Sequence, residues 1–437
     1  MTSKRTSTTV FATLPGDSSA VPAGELRLLE EGAQLLASSF VYGLRYVKRP
    51  NALEVDPISL AFGAAPPAGP EERSPVNGLV EFGAIRDAAP DLWGRRVIEN
   101  KLGRAGPLPE SVYLEHAGPN RVGALEFRAR PDSRAGTEQI APATELQYLL
   151  EASARIEAGE PVPARLAAIF DAGSSMGGAR PKAVVLHEGS QWLAKFSSSS
   201  DRFNVPAVER ATLELARTAG MRVPRTRLVP LSDGAKVMLI ERFDRIALAA
   251  GFGRVHFVSA LTMLGLDESR SPHAAYADIA SVLSQRSPAA NLAEDRVELY
   301  RRMVFNIMVG NDDDHLRNHG FLREGAGWRL APLYDVAPKP QVGFERFLHL
   351  AVGPRAGRAA TLVNAVSGSG AFGLTPAQAA AEADVVARVV RQWQGYFEAW
   401  GVAGADIDAV AGAFRPYREL GWSEVERLLA RSKRTPD

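Results

Sequence analysis

Gly310-Asn311-Asp312-Asp313-Asp314-His315-Leu316-Arg317-Asn318, followed closely by Ala331-Pro332-Leu333-Tyr334-Asp335, is the stretch on which the fold turns. Residues 297–309 before it are largely apolar in their second half and predict a partly buried helix. Three adjacent carboxylates repel one another, so solvent or a cation must offset the cost. Taken alone, such a cluster reads first as a solvated loop. The next segment changes that. Phe321-Leu322 and Trp328-Arg329-Leu330 predict a hairpin around Gly325 and Gly327, which returns Asp335 to the acidic loop. Carboxylate and amide oxygens are hard ligands suited to Mg²⁺. Phosphoryl transfer uses an Asp to accept the hydroxyl proton, then an Asn and a second Asp to hold the metal. Asp313, Asn318 and Asp335 occur in that order. A rival reading stays open, in which His315 and His319 share a helix face as metal ligands of a hydrolase. Gly320 argues against a long helix there.

Upstream, Gly173-Ser174-Ser175-Met176-Gly177-Gly178-Ala179-Arg180-Pro181-Lys182 is a Gly/Ser-rich loop leading into a strand. Glycines let backbone N–H groups approach phosphates. It is not a Walker A sequence, and Gly/Ser-rich turns are mostly only turns. In the strand Trp192-Leu193-Ala194-Lys195-Phe196, Trp192, Ala194 and Phe196 share one face and Lys195 lies on the other with Leu193. A strand lysine beside a Gly-rich hairpin suits nucleotide phosphates; a snorkelling lysine is the plain alternative. Glu209, in a predicted helix over 206–219, is a candidate ion-pair partner for Lys195, with Glu214 competing. Glu241-Arg242-Phe243-Asp244-Arg245 closes a second predicted hairpin, where the two lobes of a kinase would join.

The rest of the chain sets bounds. It has 437 residues, 46% hydrophobic and 23% charged, enough for two or three domains with substantial cores. Its 51 basic and 50 acidic residues leave a net charge of +1, so nucleic-acid binding would need a local basic patch. Arg355, Arg358 and the Lys433-Arg434 tail do not make a convincing one. The absence of Cys excludes disulfides, thiolate metal sites and Cys nucleophiles, and fits a cytoplasmic protein. The N-terminal residues do not read as a signal peptide, and no apolar run reaches membrane-spanning length.

Three segments are expected: an α+β subdomain over 1–137, a β-rich lobe over 138–258 and a helical lobe over 259–437. Strand-like runs include 40–42 and 58–60, and 65–73 reads as a loop. Residues 87–102 read as one helix with Leu92, Val97, Ile98 and Leu102 as its apolar stripe, and 121–127 as a strand. Hairpins are expected at 183–196 and 227–243, and Thr375-Pro376 opens a long helix towards Trp400.

Taken in order, these motifs resemble the HipA family of bacterial serine/threonine kinases, the toxins of HipA–HipB type toxin–antitoxin modules. The resemblance rests on Ser175–Lys182, Lys195, Glu209 with Gly220-Met-Arg-Val-Pro224, Glu241–Arg245, Gly310–Asn318 and Pro332–Asp335. Pro90-Asp91 and Val122-Gly123-Ala124 extend it into the N-terminal part. It implies an α+β, two-lobed protein-kinase-like fold, related to phosphatidylinositol kinases, with ATP and Mg²⁺ as cofactors. Asp313 would then be the catalytic base, with Asp312 and Asp314 as bystanders or local support. Asn318 and Asp335 would be the metal ligands. The ATP site would comprise Gly177, Gly178, Ala179, Arg180, Lys182, Lys195, Glu241, Arg242, Phe243, His315, Asn318, Tyr334 and Asp335, with Glu209 supporting Lys195. Ser175 matches a serine autophosphorylated in the family, and Ser174 lies beside it. Arg180 and Pro181 depart from the family loop, and Pro181 removes a backbone donor.

The resemblance further implies a protein acceptor such as an aminoacyl-tRNA synthetase or another translation component. A small helix-turn-helix antitoxin of HipB type would be a partner, with operator DNA reached mainly through it. A metal-dependent phosphohydrolase, a catalytically silent binding module and a small-molecule kinase are the competing expectations.

Overall fold

The computed structural model describes residues 3–63, 69–104, 106–133, 140–163, 178–249, 251–341, 343 and 345–432. Ser174, Ser175, Gly177 and the Lys433-Arg434 tail lie outside the described residues. The chain divides into two units, Met1–Ser199 with Val229–Asp267, and Ser200–Leu228 with Glu268–Asp437. The expected segment 1–137 and most of 138–258 thus fall within one unit.

The first unit holds two main sheets. One contains β1 (Lys4–Thr13), β2 (Ala20–Glu31), β3 (Gln34–Tyr42), β4 (Glu72–Arg73) and β5 (Leu125–Arg128), in the order β4-β3-β2-β1-β5 and antiparallel throughout. Along β3, Ser38, Phe40 and Tyr42 alternate inward, as a half-buried strand requires. Two details differ from the sequence expectation. Glu72-Arg73, read as loop, is an edge strand on β3. Residues 58–60, read as strand, form a turn, because Asp56 Oδ1 accepts from the N–H groups of Ile58 and Ser59, both at 2.8 Å.

The second sheet contains β6 (Ala141–Pro142), β7 (Lys182–His187), β8 (Ser190–Lys195) and β10 (Lys236–Glu241), with β9 (Thr226–Pro230) beside β10. The hairpin β7–β8 forms as expected, through Glu188 and Gly189 at positive φ, a turn whose twist matches its strands. One face of this sheet carries Ala183, Val185, Trp192, Ala194, Phe196, Val237 and Leu239, packed on Trp93, Leu146, Leu149, Ala152 and Ile156. Trp93 explains why residues 87–102 are not one helix. Pro90 separates the helix Gly83–Ala88 from the helix Leu92–Lys101, and Asp91 caps the second through Gly94 N at 2.8 Å. The break turns Trp93 into the core and leaves Leu92 64% exposed. The unit is completed by the hairpin β11 (Arg245–Leu248) and β12 (Gly251–Arg254), and by the short strand β13 (Phe257–Ser259).

The described residues of the second unit are mainly helical, and they include the hairpin β14 (Gly320–Glu324) and β15 (Gly327–Leu330). The helix Ala289–Val309 lies at its centre, burying Leu299, Met303, Val304, Phe305 and Ile307, and the helix Pro376–Val390 packs on it. Thr375 and Gln378 form a capping box at the start of the latter, as the Thr-Pro pair suggests. That helix ends at Val390, and a separate helix, Trp393–Ala399, continues towards Trp400. The helix Val205–Thr218 begins on Asn204, whose side chain accepts from Ala207 N at 2.9 Å, and ends before Gly220 at φ +84°.

Candidate active site

The acidic loop begins where the central helix stops. Gly310 takes φ +69° as the residue past the helix end, and its N–H bonds to Asn306 O. A Cβ at Gly310 would stand 2.6 Å from Ala413 O, so glycine is required twice over. Burial then sorts the three aspartates. Asp312 is partly buried, accepts from Gln341 Nε2 and pairs with Lys339 Nζ at 3.3 Å. Asp314 is buried between Tyr276 Oη, which donates to it, and His319 Nε2 at 2.9 Å. Asp313 is exposed, and among the described residues its carboxylate takes no hydrogen bond or ion pair.

A line of buried polar side chains holds the loop from below. Asn311 donates to Asn306 Oδ1 at 3.0 Å, Asn306 donates to Tyr276 Oη at 3.1 Å, and Tyr276 donates to Asp314. Leu316 N reaches Ser271 Oγ at 3.4 Å, and that hydroxyl also meets His349 Nε2 at 3.1 Å. His315 lies against His349, with ring centroids 5.8 Å apart. Burial, then the His315 ring, lowers the His349 pKa below its ordinary value. Asn318 is buried, and its Nδ2 donates to the Asp313 carbonyl at 2.8 Å. That bond fixes the amide with its oxygen turned away, a hard donor suited to a cation such as Mg²⁺.

Asp335 is one of three described non-glycine residues at positive φ, at +56°. Asp tolerates this region better than most residues, and such backbone positions gather at functional sites. Its approach is rigidly built. Arg302 Nη2 donates to Ala331 O at 2.8 Å and is itself paired with Glu298 at 2.7 Å, while Leu333 N donates to Arg222 O at 2.8 Å. Tyr334 is buried and donates to Arg317 O at 2.8 Å, tying the Asp335 turn to the acidic loop. The hairpin therefore returns the chain to the acidic loop, as expected.

The residues expected on the phosphate side lie in the first unit. Lys195 ends β8 on the face away from the Trp192 core, opposite Met238 on β10 and Lys182 on β7. Gly178, Ala179 and Arg180 are exposed. Lys182 is 2% exposed, with Nζ 2.6 Å from Asp91 Oδ2 and 3.0 Å from Gly178 O. Its charge is thus already matched by a buried carboxylate. Arg242 is buried too. Its guanidinium binds Asp244 at 2.8 and 3.0 Å and Arg121 O at 2.7 Å, and its N–H bonds to Gln191 O. Glu241 and Phe243 flank it, both partly buried. Asp244 also receives Arg245 Nη1 at 2.7 Å and Gly123 N at 2.8 Å. Burial raises the pKa of Asp244, but the two guanidinium groups outweigh it and hold the carboxyl well below its usual range. The motifs Val122-Gly123-Ala124 and Glu241–Arg245 are therefore two sides of one contact.

Glu209 is buried in the helix Val205–Thr218, whereas Glu214 binds Thr226 Oγ1 and Arg217. The paired-histidine reading loses its geometric basis. Residues 316–318 form a single 3₁₀ turn, His319 is extended, and its Nε2 faces Asp314. Among the described residues no three His, Asp or Glu side chains gather as a metal site. Sequence reasoning passed over Tyr276, Asn306 and the chemical role of Asp91. A polar Asn within the apolar run before Gly310 was the one available signal.

The fold and this loop define a two-lobed, protein-kinase-like α+β protein. The chain belongs to the HipA-like C-terminal domain family, whose model matches residues 174–393. "Putative kinase" from Haemophilus influenzae is 29% identical over 148 residues, 31% of this chain and 42% of that protein. "Putative kinase Y4mE" from Sinorhizobium fredii is 26% identical over 272 residues, 56% of this chain and 61% of that protein. "Serine/threonine-protein kinase toxin HipA" from Shewanella oneidensis is 25% identical over 202 residues, 41% of this chain and 46% of that protein. The alignment thus spans less than two thirds of each relative. The solved complex of Shewanella oneidensis HipA, HipB and operator DNA contains a chain that matches 98% of this one, with TM-score 0.67 and 17% identity. That likeness assigns the fold. Among the described residues no helix is long and apolar enough to cross a membrane.

Proposed function

We propose that this chain is an ATP- and Mg²⁺-dependent serine/threonine protein kinase of HipA type. The observation that carries the reading is the sorting of the acidic loop, in which Asp313 alone of the three aspartates is exposed and unpartnered among the described residues. The Asp313 carboxylate accepts the proton of the acceptor hydroxyl as its oxygen bonds to the γ-phosphorus. The bond from that phosphorus to the bridging oxygen breaks, and ADP leaves. Asn318 and Asp335 would hold Mg²⁺, which supplies neutralisation of charge on the phosphate oxygens. Lys195 binds the α and β phosphates, Glu209 steadies Lys195, and the backbone of Glu241 and Phe243 receives adenine.

The finer parts of the proposal rest on family membership. Ser174 or Ser175 is the self-inhibiting phosphosite, the acceptor is a translation component, and a HipB-like antitoxin links the chain to operator DNA in the cytoplasm. Incubation with Mg-ATP followed by phosphosite mass spectrometry tests the activity. Transfer by wild type should fall by about a hundredfold or more in Asp313→Gln. Equal transfer by both proteins sinks the base assignment, and ATP binding without any transfer makes the chain a binding module.

A further inference from the structure

Lys182 and Lys195 stand directly opposite each other on neighbouring strands, so both side chains leave the sheet on the same face. Both are buried. Like charges so placed oppose strand pairing, and the nearest remedy is visible at Lys182. Its ammonium is 2.6 Å from Asp91 Oδ2 in a pair whose side chains are 2% and 4% exposed. The other Asp91 oxygen, Oδ1, accepts from Gly94 N and caps the helix Leu92–Lys101. One carboxylate therefore serves a helix start in the N-terminal part of the chain and a lysine at the end of the Gly-rich loop.

The same ammonium donates back to Gly178 O at 3.0 Å, closing the turn from Gly178 to Lys182. Gly178 sits at φ +101°, and a Cβ there would lie 3.5 Å from Lys182 Nζ. The turn is pinned on its far side as well, where Trp93 Nε1 donates to Lys182 O at 2.9 Å and Phe196 N donates to Pro181 O at 3.0 Å. The proline that removes a donor thus contributes its carbonyl to the register of the loop.

From this geometry we infer that Asp91 is a positioning residue for the nucleotide loop. Through Lys182 it sets the Gly178–Lys182 turn, and Lys182 braces that turn rather than contacting phosphate. The inference rests on the proposed kinase reading and reassigns one residue within it.

The two roles for Lys182 predict opposite signs. If Lys182 binds phosphate directly, Asp91→Asn removes a competing anion and tightens ATP binding. If Lys182 braces the turn, Asp91→Asn loosens it. Asn still caps the helix, so the substitution isolates the charge. Calorimetric Kd values for Mg-ATP are measured on the full chain for wild type, Asp91→Asn, Lys182→Met and the double variant, with KM and kcat for transfer. The expected result is a Kd raised about tenfold in each single variant, with the double variant no worse than either, as strongly coupled neighbours behave. The kcat at saturating ATP should change little, which a merely structural loss of folded protein would not reproduce. The double variant has no unpaired buried charge and keeps the test open if one single variant does not fold. Tighter or unchanged binding in Asp91→Asn overturns the inference while leaving the kinase reading intact. Wild type that binds no ATP overturns both.

Discussion

Asp244→Asn should destabilise the first unit by about 3–5 kcal/mol at pH 7, the usual cost of removing one partner of a buried ion pair. The figure follows from the surroundings of Asp244. Its side chain is fully buried, and the Arg242 and Arg245 guanidiniums facing it at 2.8 and 2.7 Å are 1% and 2% exposed. Asn matches the shape but removes the carboxylate that both enclosed guanidinium groups face. For a unit of this size the change corresponds to a drop in Tm on the order of 10 °C. The dependence on pH has a definite sign. The folded-state pKa of Asp244 is depressed, so its contribution is complete above the unfolded-state value of about 4 and declines as pH falls towards the folded value. The gap between wild type and variant should therefore narrow by about 1 kcal/mol between pH 7 and pH 3. Urea unfolding followed by tryptophan fluorescence reads this directly, since Trp93 and Trp192 lie in the core of the same unit. A loss below 1 kcal/mol at pH 7, or a gap equally wide at pH 3, refutes the reasoning.

Asp314→Asn should lower kcat for transfer by about tenfold with little change in KM for ATP, because the buried line from Asn311 to His319 holds the loop that presents Asp313; Tyr276→Phe should act in the same direction, and full activity in both variants would remove this support from the loop. Gly310→Ala should cost about 1–3 kcal/mol, since alanine meets both a positive φ and the Ala413 carbonyl; chemical denaturation measures it, and an unchanged midpoint contradicts the account of the helix end.

The acidic loop was legible because its logic is local. Asp313, Asn318 and Asp335 lie within one helix end and one hairpin, and hairpins declare themselves through glycine and alternating apolar residues. What the sequence concealed was contact between distant segments. Lys182 reads as a phosphate ligand until Asp91, far away in the chain, is placed against it. The Arg242 guanidinium is held by Asp244 and by the Arg121 carbonyl, which lies far away in the sequence. Asp314 reads as a spare member of an acidic run because Tyr276 and His319 reach it only through folding. The helix expected over 87–102 is broken for a different reason. Its apolar spacing is helical, but Pro90 and the cap at Asp91 outweigh the pattern, and the stripe moves from Leu92 to Trp93.

Trp93 also bears on how the protein can be divided. The family match begins at residue 174, which invites cutting the chain there. Such a fragment would lack Trp93 and the helix Leu146–Glu157, which share a core with Val185, Trp192 and Ala194, and the carbonyls of Asn120 and Arg121 that receive Arg242. Its principal sheet would lose the cover of one apolar face, and Lys182 would lose the Asp91 carboxylate. The N-terminal part is thus an internal component of that sheet's own core, and gene fusions or truncations that treat it as a detachable appendage should yield insoluble protein.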